Sequence, residues 1–120
     1  MRKLIYIVIP VLFMLFGCFS NIDEHLLIGK YHFNTNKLDV IDLHKDHTYS
    51  HKHINTKGKM FEVHGKWIYN GKSISFYGFN FFNDLGTTGG DGIWISQVTE
   101  DNGKIKFIYS DDDDTYFEKE

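Results

Sequence analysis

The chain has 120 residues and a mass of 14.1 kDa, which is enough for one domain. Its composition, 42% hydrophobic and 24% charged, excludes a disordered tail and a polytopic membrane protein. The chain has 13 Lys+Arg against 16 Asp+Glu, and its one arginine is Arg2, at the extreme N-terminus. Without the bidentate forks of arginine, a domain is poorly equipped to recognise phosphate or base edges, so we expect no nucleic-acid partner.

Residues 1–17 have the layout of a signal peptide. A short positive region, Arg2 and Lys3, precedes an apolar run over residues 4–16. A spanning helix needs about 20 apolar residues, and this run is too short for one, as is typical of a signal peptide. The alternative is an uncleaved N-terminal anchor.

The apolar run ends in Leu15-Phe16-Gly17-Cys18. This tetrapeptide resembles the lipobox of bacterial lipoproteins, with an aliphatic residue three positions before the cysteine and a small residue directly before it. The resemblance implies lipid transfer to the sulfur of Cys18, cleavage after Gly17 and acylation of the new N-terminus. Phe19 and Ser20 follow, which in this family points to the outer membrane where two membranes are present. Cys18 is the only cysteine, so no intrachain disulfide is possible.

The mature chain is predicted to be acidic overall, with a short polar tether followed by a β domain. Removal of residues 1–17 leaves 11 Lys against 16 Asp+Glu, a net charge of −5. Residues 18–28 form the lipidated tether, in which Ser20 and Asp23 have the spacing of a capping box and predict one helical turn. Residues 29–120 form the folded domain.

Short β-type runs separated by turn signals make up that domain. Asn-Gly at 70–71 and at 102–103 is the strongest short hairpin signal, and further turns are expected at 34–36, 45–46 and 57–58. About eight strands joined by short connections imply an all-β, up-and-down antiparallel meander that closes, or nearly closes, into a barrel. The predicted strands are 29–34, 38–44, 47–55, 60–69, 73–82, 92–99, 104–110 and 115–119.

Alternation along these strands predicts which side chains point into the barrel. The six that form the structural core are predicted to be Tyr31, Phe61, Val63, Trp67, Phe76 and Phe107. The further inward positions are Phe33, Leu38, Val40 (or Ile41), Leu43, Ile74, Ile93, Ile95, Ile105 and Tyr109.

Three short motifs follow one another along this domain: Gly29-Lys30-Tyr31, then Leu43-His44-Lys45-Asp46-His47-Thr48-Tyr49, then Gly65-Lys66-Trp67. Together with the aromatic tail at 115–119, they resemble small, uncharacterised bacterial lipoproteins with a lipocalin-like β-barrel domain. The motifs mark turns and core aromatics. The resemblance therefore implies a fold and a cell-envelope location, with no reaction attached.

Four of the seven histidines lie within residues 44–53. If Lys57-Gly58 forms the turn, His51 faces His64 and His53 faces Glu62 on one face of the hairpin. Two or three imidazoles with a carboxylate can bind zinc, nickel or copper. The alternative is a solvated polar face whose histidines bind nothing. A slip of one residue in the register would also scatter the cluster.

Other candidate sites carry weaker signals. Asp111–Asp114 lacks the glycine and terminal glutamate of an EF-hand and is interpreted as a charged turn. The glycine-rich segment 86–92 lacks the lysine and helix of a phosphate loop and is interpreted as a surface loop. No nucleophile elbow or His-Glu-x-x-His motif is present, so no catalytic residue is predicted.

The sequence therefore predicts a lipid-anchored, non-enzymatic binding module held at the membrane by its acyl chains. Its partner is a small apolar ligand in the barrel mouth or an envelope protein on the outer face. Two alternatives remain. One is an inhibitor or immunity protein against a cationic toxin or cell-wall hydrolase, which a net charge of −5 would attract. The other is a periplasmic zinc- or nickel-binding protein.

Overall fold

A computed structural model gives the structure of residues 22–80 and 92–120, together with the backbone of residues 82–83 and 86–87. The predicted signal peptide and the predicted lipidation site at Cys18 lie outside these residues. Among the residues described, no helix is both long enough and apolar enough to cross a membrane.

The domain is a closed antiparallel β-barrel of eight strands, which confirms the predicted all-β meander. The strands are β1 (Gly29–Phe33), β2 (Asn36–Leu43), β3 (Thr48–Ile54), β4 (Met60–Tyr69), β5 (Ser73–Phe79), β6 (Phe82–Asn83), β7 (Gly86–Thr87), β8 (Gly92–Asp101), β9 (Lys104–Ser110) and β10 (Thr115–Lys119). Around the barrel they follow the order β1-β10-β9-β8-β5-β4-β3-β2, and β2 pairs with β1 to close it. A hairpin of the two short strands β6 and β7 is inserted between β5 and β8.

Two asparagine turns illustrate how the sequence fixes these connections. Asn102 and Gly103 both have positive φ, 52° and 78°, and join paired residues of β8 and β9, as a type I′ turn requires. At the other Asn-Gly pair only Gly71 has positive φ. There Asn70 acts through its side chain, whose Oδ1 accepts hydrogen bonds from the backbone N–H groups of Lys72 and Ser73.

Aromatic rings fill much of the barrel interior. Tyr31 stacks on Phe107 with ring centroids 4.1 Å apart, and Phe76 packs against Phe107 at 5.6 Å. Trp67 is completely buried, and its indole N–H donates to the carbonyl oxygens of Thr48 and His44. The buried core consists of Leu27, Tyr31, Ile41, Leu43, Tyr49, Trp67, Ile74, Phe76, Phe79, Trp94, Ile105, Phe107 and Phe117.

The motifs at residues 43–49 and 65–67 lie next to each other, at the β2–β3 turn and on β4. Asp46 Oδ1 accepts hydrogen bonds from both the backbone N–H and the hydroxyl of Thr48, which shapes the β2–β3 turn and lowers the pKa of Asp46. The ring of Tyr49 crosses β4 at Gly65, where a Cβ atom would lie 2.8 Å from the ring. These motifs therefore have structural roles, in agreement with the sequence interpretation.

Several predicted inward positions are wrong, because their strands have apolar residues on both faces. Ile93 and Ile95 are 61% and 65% exposed, and the neighbours that point inward are Trp94 and Ser96. Ser96 is accommodated because its hydroxyl donates to the carbonyl oxygen of Ile108. Leu38 and Tyr109 are also exposed, and Phe61 and Val63 have the predicted inward phase but are only half-buried.

One end of the barrel is closed by the segment that precedes β1. Glu24–Leu27 form a single 3₁₀ turn, so one turn of helix occurs in the predicted tether, although Asp23 makes no side-chain cap. Leu27 is completely buried, and its carbonyl oxygen accepts a hydrogen bond from the Tyr31 hydroxyl. The tether therefore contributes to the core, which the sequence did not predict.

Candidate functional site

The opposite end of the barrel, here called the mouth, contains a buried polar cluster. Three side chains of adjacent strands β2 and β3 form it: Asp39, His51 and His53. His51 Nε2 donates to Asp39 Oδ1 at 2.5 Å, and His53 Nδ1 lies 3.5 Å from Asp39 Oδ2. The three side chains are only 3–16% exposed. Burial of a carboxylate among aromatic rings requires a compensating donor, which His51 supplies, and the His53 ring lies close to the other carboxylate oxygen.

Strand pairing brings these residues together. Ile41 of β2 pairs with His51 of β3, so continuing the register places Asp39 beside His53. Asp39 shares its phase with Ile41 and Leu43, both of which are buried in the core. The carboxylate therefore points into the barrel because its strand has no other way to bury those two aliphatic residues.

A β-bulge provides the aromatic neighbour of this cluster. The register between β5 and β8 shifts between Tyr77 and Phe79, and Gly78 has a φ of +73°. This extra residue turns Phe79 inward, where it is 3% exposed and its ring stacks on His51 with centroids 4.9 Å apart. Glycine suits this position because an L side chain would be strained there.

Further rings complete an aromatic wall around the cluster. The Trp94 ring packs against three others, with centroid distances of 4.8 Å to Phe79, 5.8 Å to Phe117 and 5.9 Å to Tyr109. Phe33 packs against Phe117 at 4.8 Å. These contacts join strands β1, β5, β8, β9 and β10, so the wall is held by the sheet rather than by one loop.

Within this wall lies a cavity of about 270 Å³. It is near the lower limit for small-molecule sites. Its polar groups belong to Asp39, His51, Thr115 and Asp113 of the β9–β10 turn, and Thr115 Oγ1 is buried with no hydrogen bond to the rest of the described chain. The lining residues are Phe33, Asp39, His51, Phe79, Tyr109, Asp113, Thr115 and Phe117.

The predicted register of the β3–β4 hairpin is wrong by one residue. His51 pairs with Val63, and His53 pairs with Phe61. The turn is a five-residue loop from Asn55 to Lys59, because Asn55 Oδ1 accepts hydrogen bonds from the N–H groups of Lys57 and Lys59.

This slip divides the predicted metal ligands between the two faces of the barrel wall. His51 and His53 point inward. His64 and Glu62 point outward and form a surface pair, with His64 Nε2 3.1 Å from Glu62 Oε1. Across residues 22–80 and 92–120, no group of three or more His, Cys, Asp or Glu is arranged to hold a metal ion.

The other predicted features fall around the mouth. Asp111–Asp114 form the β9–β10 turn, with Asp114 at a φ of 53°, and Asn34 donates to the carbonyl oxygen of Asp114 at 2.8 Å. The charged-turn interpretation therefore fits the local structure. Of the glycine-rich segment, the structure describes Gly86 and Thr87, which pair with β6, and Gly92, which begins β8. Residues 88–91 lie outside the described residues.

Sequence reasoning missed Asp39, although a signal was present. Asp39 and Asp42 are three positions apart on one strand, so they must point to opposite faces. One of the two carboxylates therefore had to enter the barrel. The aliphatic positions 41 and 43 identify it as Asp39.

The outer wall carries a second feature, an apolar face on three adjacent strands. Ile68, Tyr77, Ile93 and Ile95 are 40–65% exposed, and strand pairing places Tyr77 directly beside Ile93. Ser75 pairs with both Ile68 and Ile95 and joins the two ends of this face. Apolar faces of this kind commonly mark contact with another macromolecule.

Comparison with family models, with curated proteins and with solved structures finds no match for this chain. The geometry of the mouth and of the outer wall therefore carries the functional argument.

Proposed function

We propose that the protein is a lipid-anchored, non-enzymatic envelope lipoprotein that binds a small molecule in the mouth of its barrel. The observation that carries this proposal is the cavity of about 270 Å³, which combines aromatic walls with a buried carboxylate–imidazole cluster. Fold stability alone gives no reason to keep three polar side chains in an aromatic interior, because apolar residues of similar size are often at least as stable. A ligand that needs both surfaces gives such a reason.

The position of the proposed anchor agrees with this role. Ile22 packs against the core at the closed end of the barrel. Cys18 precedes it by four residues, which span at most about 14 Å of extended chain. Acyl chains on Cys18 would therefore hold the closed end against the bilayer and leave the mouth facing the periplasm or the cell exterior.

The anchor is tested with Cys18→Ser. We expect the wild-type chain to appear by mass spectrometry as an acylated species that begins at Cys18, and the variant to remain an unprocessed precursor. A mature wild-type N-terminus with an unmodified thiol would overturn the anchor and leave the binding site to be tested separately.

The binding site is tested by NMR on the full chain, using the indole N–H signals of its two tryptophans. Trp94 lies in the wall of the mouth, whereas Trp67 is buried near the closed end and serves as an internal control. We expect members of a set of cationic, neutral and anionic aromatic fragments to shift the Trp94 signal and leave that of Trp67 in place. If no fragment shifts Trp94, the mouth is not a binding site.

A second candidate function is recognition of an envelope protein, and the apolar outer face favours it. Ile93 and Ile95 are more than half exposed on the middle of the barrel wall. A partner that covered this face would remove apolar surface from water. The net charge of −5 after residue 17 would favour a basic partner, such as a toxin or cell-wall hydrolase that the domain inhibits.

This second candidate is tested with a photo-crosslinking residue at position 93 in living cells. The matched control carries the same residue at Lys52, which is exposed on the outer face of β3. A single envelope protein captured at 93 and absent at 52 supports the proposal. Equal capture at both positions, or capture of lipid alone, would contradict it.

A further inference from the structure

The mouth cavity is acidic as well as aromatic. Two of its lining residues, Asp39 and Asp113, carry carboxylates, and no lysine belongs to the described lining. Asp39 Oδ1 accepts the hydrogen bond from His51, but Asp39 Oδ2 has only a contact of 3.5 Å to His53 Nδ1. Among the residues that the structure describes, this second oxygen of a cavity-lining carboxylate accepts no hydrogen bond and keeps its acceptor capacity.

Besides the carboxylates of Asp39 and Asp113, the cavity wall contains a hydroxyl that can accept a hydrogen bond. Thr115 Oγ1 is buried and makes no hydrogen bond to any residue of the described ranges, although Thr115 lines the cavity. An unsatisfied buried hydroxyl costs free energy, which a ligand that donates a hydrogen bond would recover. Carboxylates accept, and a hydroxyl can accept as well, so a ligand that donates hydrogen bonds can satisfy both Asp39 Oδ2 and Thr115 Oγ1.

The aromatic rings favour the same class of ligand. The faces of aromatic rings carry partial negative charge and attract cations. Phe33, Phe79 and Phe117 line the cavity, and their rings also provide the apolar surface that an uncharged ligand body would contact. An anionic ligand would face two carboxylates as well as these rings, whereas a neutral one would form no ion pair with either carboxylate.

We propose that the ligand of the mouth is a small organic cation, an ammonium or amidinium group on an apolar body. Its N–H groups donate to Asp39 Oδ2 and Thr115 Oγ1, and its apolar body packs against the phenylalanine rings. This inference rests on the proposed function, since it names the class of ligand that the same cavity takes.

The test compares three probes of similar size: benzylamine, benzyl alcohol and benzoate. Each is titrated into the full chain in detergent micelles, and the indole N–H signal of Trp94 is followed, with that of Trp67 as the internal control. We expect benzylamine to bind about tenfold or more tightly than benzyl alcohol, because a hydrogen bond between two charged groups is stronger than one from a neutral hydroxyl. Benzoate should leave Trp94 unshifted.

Two variants assign this preference to the carboxylate. Asp39→Asn should remove most of the preference for benzylamine over benzyl alcohol. Asp42→Asn, on the same strand but in the outward phase, should leave it intact. If Asp39→Asn does not fold, Asp113→Asn on the exposed β9–β10 turn serves instead and should reduce the preference severalfold.

The outcomes separate this inference from the proposed function. If benzyl alcohol binds as tightly as benzylamine and shifts Trp94, the mouth binds ligands but does not select cations. If none of the probes shifts Trp94, both proposals fail. If Trp67 shifts together with Trp94, the effect is not local to the mouth and the site assignment is overturned.

Discussion

His51 donates a hydrogen bond of 2.5 Å to Asp39 inside a barrel whose other interior contacts are mainly aromatic. The pair joins neighbouring strands, and the His51 ring also stacks on Phe79 of β5. One imidazole therefore links β2 and β3 to β5, which lies on the far side of β4 in the barrel. This arrangement makes the β3–β4 register measurable, because only the observed register places His51 inside.

The first prediction compares two histidines on that hairpin. His51→Ala should lower the free energy of unfolding by about 3 kcal/mol, because it leaves a sheltered carboxylate without its donor. His64→Ala should change it by no more than about 0.5 kcal/mol, since that side chain is 70% exposed. Urea denaturation of both variants checks this, and equal losses would favour the register one residue away.

The hairpin also shows what the sequence could and could not predict. Both strands were identified because turn signals and β-rich runs mark their ends. The register depended on whether the loop had two or five residues, and a side chain decided this: Asn55 satisfies two backbone N–H groups of the loop. A slip of one residue exchanges the faces of β3, so the fold was predictable while the inward positions of His51 and His53 were not.

The second prediction concerns Trp67, which is completely buried and donates to two backbone carbonyls. Trp67→Ala should cost about 3–5 kcal/mol, a large share of the stability of a small domain. Trp67→Phe keeps most of the ring volume but loses the donor, so it should cost less than the alanine variant. Thermal melting followed by circular dichroism checks the order. A near-wild-type melt for Trp67→Ala would contradict its place in the core.

The third prediction uses two isoleucines that the sequence placed inside together. Ile74→Ala should cost about 2–4 kcal/mol, because Ile74 is completely buried. Ile95→Ala removes the same atoms from an exposed side chain and should cost no more than about 0.5 kcal/mol. Chemical denaturation of the two variants side by side measures the difference. A similar loss at both sites would mean that the faces of β8 are inverted.

The error at β8 has a different physical origin from the error at the hairpin. Ile93, Trp94 and Ile95 are consecutive large apolar residues, so alternation alone gave no preferred face. The buried residue two positions after Trp94 is a serine, whose hydroxyl is satisfied by a backbone carbonyl. Apolar pattern is therefore a weak guide on strands that have a hydrophobic outer face as well as an inner one.

The fourth prediction tests the close approach at Gly65. A Cβ atom there would overlap the carbonyl oxygen of Tyr77 and lie 2.8 Å from the Tyr49 ring, so Gly65→Ala must displace β5 or that ring. Overpacking of this kind costs about 1–3 kcal/mol. Gly103→Ala is the control, because its surroundings are open and only its positive φ of 78° opposes the side chain. We expect Gly65→Ala to melt at the lower temperature, and the reverse order would contradict the observed packing.

The last prediction concerns pH and the pair formed by His32 of β1 and Glu120 at the C-terminus. The Glu120 carboxylate accepts a hydrogen bond from His32 Nε2, and the Lys37 carbonyl oxygen accepts one from Nδ1 at 2.9 Å. Both N–H groups of the charged imidazole thereby have acceptors. The pKa of His32 is raised, mainly by the hydrogen bond to Glu120 and next by the hydrogen bond to the Lys37 carbonyl. The same hydrogen bond lowers the pKa of Glu120.

The direction of each shift fixes the pH window. The contribution of His32 is fully present below its ordinary pKa of about 6.5 and is lost as pH rises through its raised value. The contribution of Glu120 is present above its ordinary pKa of about 4.3 and is lost as pH falls through its lowered value. Both contributions overlap between about pH 4.5 and 6.5.

Glu120→Gln should therefore lower the melting temperature most in that window, and the difference from wild type should shrink toward pH 8 as His32 loses its proton in both proteins. The control is Glu100→Gln, since Glu100 is exposed on β8 and forms no ion pair within the described part of the chain. Melting curves at half-unit steps of pH measure both differences. A Glu120→Gln difference that stays constant from pH 5 to pH 8 would show that the pair does not couple the C-terminus to the protonation of His32.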